Sequence, residues 1–151
     1  MKHALLRLAI GAPAAFNALS AIGGGAALLL GTYQNGVLVE AGGQARFPLA
    51  WLENTPFSDY TVPALILMIG AGGSSLCAAV LIFARREEGT LASVAAGLMM
   101  TGFIAGEVVL LKQGISWIEG LYGGLGLLIS TLAAYLWVIE HRPHRWHIRH
   151  A

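Results

Sequence analysis

Four uncharged stretches, Leu8 to Gly31, Tyr60 to Ala84, Gly89 to Gly106 and Gly120 to Ile139, take up most of this chain. At ~1.5 Å of rise per residue each is about 27 Å long or longer, and ~20 apolar residues suffice for a transmembrane helix. The pattern predicts an all-α membrane protein, a left-handed bundle of four helices over about 8–31, 60–84, 90–111 and 119–139. Composition agrees: of 151 residues 56% are hydrophobic and 11% charged, whereas a soluble domain carries roughly a quarter charged residues. The length admits one bundle and no attached soluble domain.

Charge distribution sets the expected topology. If the helices alternate, Lys2, Arg7, Arg85, Arg86, Arg142, Arg145 and Arg149 fall on one side, and Arg46 and Lys112 on the other. The positive-inside rule then puts both termini in the cytoplasm, with the chain integral to a bacterial cytoplasmic membrane. Lys2, His3 and Arg7 ahead of an apolar run resemble the start of a signal peptide. The run from Leu8 to Gly31 exceeds the ~7–15-residue core of such a signal and reads as the first helix.

The outer segment 32–59 is longer than a bundle turn requires. Val37-Leu38-Val39-Glu40, Ala41-Gly42-Gly43 and Gln44-Ala45-Arg46-Phe47 read as a short β-hairpin, with Glu40 and Arg46 as a charge pair. Leu49-Ala50-Trp51-Leu52 suits the headgroup region, with Trp51 as anchor. Asp59 is placed to cap the second helix, and Pro63 sits harmlessly in its first turn. Arg85-Arg86-Glu87-Glu88 reads as a tight turn. Lys112 to Glu119 joins the last two helices, with Trp117 as a further interfacial anchor.

Within the helices the signal is glycine, 20 in all. Gly102 and Gly106, and Gly120 and Gly124, form GxxxG pairs, and Gly70 with Ser74 makes a small-xxx-small pair. In lipid such residues let backbones approach, so these five glycines are expected to pack helices, within the chain before partners. Depth arithmetic sorts the polar residues. Asn17 lies ~13 Å from the inner end of its helix, level with Ser74 and Ser75, and a polar layer joining them is expected. Glu107 lies ~26 Å along the third helix, level with Tyr60, Thr61, Tyr122 or the outer loop. An intramembrane carboxylate is a functional candidate by default, and its rival reading is an interfacial hydrogen bond to tyrosine or backbone.

No catalytic, cofactor or metal motif stands out. Cys77 has no partner and reads as small apolar filler. All five histidines, His3, His141, His144, His147 and His150, lie in terminal segments, which removes intramembrane haem or pigment ligation. The histidine-rich tail lacks a completing carboxylate or thiol. It reads as a basic surface segment on anionic lipid, with Trp146, Arg142, Arg145 and Arg149 as anchors.

The run Asn54 to Pro63, the glycine-rich second helix, Glu107-Val108-Val109 and the stretch Trp117 to Gly126 resemble a group of small uncharacterised four-helix bacterial membrane proteins. The group brings no known activity, so the resemblance implies architecture alone. Claudin-like proteins share the helix count, but this loop has no cysteine pair. Four-helix glutathione-transferase-like membrane enzymes use Arg and Asn motifs that are absent here.

With so few buried titratable groups, the favoured function is a non-catalytic accessory or structural subunit of a larger membrane complex, an energy-transducing one among the candidates. Its partners are membrane lipids and other integral subunits or further copies of itself, not nucleic acid. Bound lipids are expected, and contact with pigment or quinone only through a partner. An oligomeric transporter or channel subunit using Glu107 is the alternative. A lipid- or quinone-modifying enzyme ranks third, because no acid–base pair can be assembled within reach.

Overall fold

The computed structural model describes residues 3–35, 38–39, 45–47, 52–111 and 116–141, with side chains excepted over 31–51. It is a bundle of four helices: α1 (Ala4–Asn35), α2 (Thr61–Phe83), α3 (Glu88–Leu111) and α4 (Trp117–His141). Each contains a stretch long and apolar enough to cross a membrane. α1, at 32 residues, is ~48 Å long and outruns a ~30 Å hydrocarbon core. It carries Pro13 in its interior, where one backbone carbonyl is left without its helical donor. Two short strands, β1 (Leu38–Val39) and β2 (Ala45–Phe47), pair antiparallel between α1 and α2, with Leu38 opposite Phe47 and Val39 opposite Ala45. The Ala41-Gly42-Gly43 turn, Glu40, Trp51, Lys112 and the tail with Arg142, Arg145, Trp146 and Arg149 lie outside the described residues, as does the Arg46 side chain.

Local chemistry sets the helix ends. Asp59 Oδ1 accepts the Thr61 backbone N–H at 2.8 Å, satisfying an amide at the start of α2. At the other end of α2 Arg85 takes φ 56°. The Arg86 amide then reaches Leu81 O at 3.0 Å and the Arg85 amide Ile82 O at 3.2 Å, a left-handed closure that ends the helix. α4 opens with a capping box: Ser116 Oγ accepts from the Ile118 amide at 3.3 Å, and Glu119 Oε2 accepts from the Ser116 amide at 2.9 Å. That box starts α4 at Trp117. Inside α2, Ile66–Gly73 winds as a π-helix, a form concentrated at functional segments.

The bundle is dense at the end that carries the 85–88 turn and open at the end that carries residues 52–60. Near the 85–88 turn Ile10, Ala14, Ala79, Ile82, Ile129, Ala133 and Leu136 form one buried cluster. Toward the other end the second cluster shrinks to Ala21, Ala71 and Met100. Arg7 Nη2 and Glu140 Oε1, 2.6 Å apart, tie α1 to α4 at the dense end.

The close backbone approaches fall on glycines other than the expected pairs. A Cβ on Gly97 would collide with Ser130 Oγ and Gly126 O and come within 2.8 Å of Ser130 N. A Cβ on Gly126 would meet Gly97 O at 2.7 Å, so α3 and α4 touch backbone to backbone there. Gly25, Gly72 and Gly89 are similarly tight against Met68, Ile22 and Ile82. Gly102, Gly106, Gly120 and Gly124 have nothing within 4 Å of a built Cβ, and Gly70 makes only an ordinary 3.7 Å contact with Met99. Among the described residues, therefore, the GxxxG pairs do not pack this chain's own helices. The motif specifies a smooth face: Gly120 and Gly124 are exposed on α4, while Gly102 and Gly106 border open space beside α3.

Candidate functional site

Because the helices splay toward the 52–60 end, two apolar clefts open there. The first, about 580 Å³, lies between the start of α2 and α3, with Tyr60, Pro63, Ile66, Gly102, Gly106 and Glu107 among its walls. Its far end reaches Ala95, and Leu52, Thr55 and Phe57 close the near end. The second, about 400 Å³, lies between α1, α3 and α4 with Leu67 of α2 at its border, and Phe16, Gly24, Ile104, Glu107 and Tyr122 among its walls. Leu28, Phe103 and Glu107 border both. Glu107 is thus a half-buried carboxylate at the meeting of two greasy clefts.

Residues 52–60 are held by their own hydrogen bonds. Thr55 Oγ1 donates to Leu52 O at 2.9 Å and accepts from the Phe57 amide at 3.3 Å, while Leu52 and Tyr60 are buried. Burial, followed by the charge of Glu107, pushes the Tyr60 phenol up to about 12. Tyr60 is protonated at neutral pH, as any phenol is, and Glu107 lies close enough for its charge to act on it. The Asp59 carboxyl is held below its usual range by the Thr61 amide. Glu119, on the second cleft, is engaged in the capping box.

A second polar feature lies deeper. Gly72 approaches Ile22 and Gly11 approaches Ile82, each with a built Cβ within 2.8 Å of the partner. Since α1 and α2 run antiparallel, this register brings Asn17 level with the turn that starts at Ser75. Asn17, Ser75 and Ser93 are fully buried and Ser130 nearly so, one polar side chain from each helix. The expected layer joining Asn17 to Ser74 or Ser75 does not form. Ser74 Oγ turns back to donate to Ala71 O at 3.2 Å, and among the described residues both amide atoms of Asn17 and the Ser75 hydroxyl have no hydrogen-bond partner. Shared depth sets the level of a side chain but not its direction. Ser130 donates to Val94 O across the α3–α4 contact and Ser93 to Gly89 O within α3.

The structure thus brings Glu107 together with Tyr60 and Tyr122, and keeps Asn17 and Ser75 apart from them nearer mid-bundle. Trp117 projects outward and is 77% exposed. The Arg7–Glu140 pair was not anticipated. Its signal is that a basic residue opening the first helix and an acidic one closing the fourth share a side if the spans alternate. Among the described residues no three of His, Cys, Asp and Glu gather where a metal ion could be held. Comparisons with family models, curated proteins and solved structures found no match.

Proposed function

We propose that this chain is a non-catalytic accessory subunit that packs against a larger membrane complex through the outward face of α4. The observation that carries this reading is that, among the described residues, nothing lies within 4 Å of a Cβ built on Gly120 or Gly124 on that face. Leu121, Leu127, Leu128 and Tyr135 are also exposed along α4. In lipid, helices associate by close packing, and open small residues one turn apart are where a neighbouring helix gains most contact. The split of Lys and Arg supports a topology with both termini cytoplasmic and residues 32–59 outside, in a bacterial cytoplasmic membrane.

Purification from native membranes in mild detergent tests this. The chain is expected to co-migrate with larger integral proteins, and Gly124→Leu to release it without lowering its own melting temperature. Migration of the wild type alone, at the size of one chain, would contradict the proposal. A second reading, a small oligomeric transporter or channel subunit, draws on Glu107 at the junction of the clefts. Proton- or ion-dependent flux in liposomes, lost in Glu107→Gln, would favour it.

A further inference from the structure

The two clefts share one carboxylate and have similar depth. Along α3 the first runs from Ala95 past Glu107 to Leu111, and the part between Ala95 and Glu107 is about 18 Å long at the helical rise. Along α1 the second runs from Phe16 to Leu28, again about 18 Å. Half of a ~30 Å hydrocarbon core is ~15 Å, so the second cleft, and the part of the first between Ala95 and Glu107, are each about one leaflet deep. Both open sideways: Leu98, Met99 and Ile66 at the first, and Phe16, Trp117 and Leu121 at the second, are substantially exposed. The wall between them is Leu28 and Phe103, and Glu107 stands at its polar end.

We propose that the paired clefts hold one two-chain phospholipid with a primary ammonium head group, a chain in each cleft and the ammonium on Glu107. The geometry matches a molecule with two apolar arms joined at one polar end. Charge complementarity selects the head. Among the described side chains, the charged ones at this end are Glu53, Asp59, Glu107 and Glu119, all acidic, while Arg7, Arg85 and Arg86 lie at the opposite end with Glu87, Glu88 and Glu140; the sequence adds Arg46 and Lys112 to the cleft end. A charge-assisted hydrogen bond from an ammonium to a carboxylate is among the stronger ones available.

The test is lipid retention by the full-length chain, read by native mass spectrometry after equilibration with phosphatidylethanolamine or phosphatidylglycerol of matched chains. The wild type is expected to keep phosphatidylethanolamine about tenfold more strongly, the worth of one charge-assisted hydrogen bond. Glu107→Gln should erase that preference. Gly102→Leu and Gly106→Leu should reduce retention of both lipids by filling the first cleft. Each builds into open space, so unchanged melting separates a filled cleft from a misfolded chain, and two positions guard against one failing to fold. Equal retention of the two lipids by the wild type would overturn the proposal. So would a preference that survives Glu107→Gln, or full retention in a folded leucine variant.

Discussion

Asn17→Leu is expected to stabilise the bundle. Asn17 is 0% exposed and, among the described residues, neither amide atom has a hydrogen-bond partner. It lies on the face of α1 that also buries Ala14, Ala18 and Ala21. Leaving a buried polar group unsatisfied costs ~1–3 kcal/mol in a water-soluble protein. In a membrane the separated helix also keeps Asn17 out of water, and polar groups there find partial partners, so interhelical hydrogen bonds average only about 0.6 kcal/mol. Leucine repeats the branched skeleton of asparagine with methyls for the amide atoms, and its slightly greater bulk subtracts from the gain. A net stabilisation of about 0.5 kcal/mol or less follows from these terms. Asn17→Ala should be less stable than Asn17→Leu, because it leaves a cavity. The assay is reversible unfolding in mixed micelles by titration with a denaturing detergent, followed by circular dichroism. A double-mutant cycle with Ser75→Ala should give a coupling below ~0.5 kcal/mol, the limit for independent sites. The reasoning fails if Asn17→Leu destabilises by more than ~1 kcal/mol with substantial coupling to Ser75, since the two would then be bonded.

Three further outcomes are expected. Gly97→Ala should destabilise by about 1–3 kcal/mol or more, because the new methyl meets α4 backbone, whereas Gly102→Ala should leave thermal unfolding in detergent unchanged. Removing either partner of Arg7–Glu140, an ion pair at the bundle's edge, should cost about 1 kcal/mol or less, with a double-mutant cycle recovering the pair's coupling. The folded pKa of Asp59 lies below its ordinary 3.8, so its contribution is present above that value and lost as pH falls through the folded pKa. The melting temperature of the wild type should exceed that of Asp59→Ala at neutral pH and converge with it at more acid pH.

Much of this architecture is legible in the sequence because a bilayer imposes one dominant period. Four charge-free runs can satisfy their backbone only as helices, and charges mark where those helices end. Asp59 before Thr61 announces its cap, and the count of residues from the 85–88 turn puts Glu107 level with Tyr60. Which surfaces touch is less legible. Gly97 and Gly102 sit in the same helix with the same side chain, yet one is pressed on Gly126 and the other faces open space. Rotation of each helix decides that, and the apolar residues all around these helices leave rotation unmarked. The clefts are hidden for the same reason, since they arise where α2 and α3 part company toward Glu107. The π-helix at Ile66–Gly73 has no signal beyond its glycines.

The central claim is that the outward face of α4 meets another protein. Site-specific photo-crosslinking in intact cells addresses it directly, with the probe at position 124 and, for comparison, at the exposed Cys77 on α2. The account predicts a discrete crosslinked product of higher mass, containing another integral membrane chain, from position 124 and none from position 77. Crosslinks from position 124 to lipid alone would contradict it.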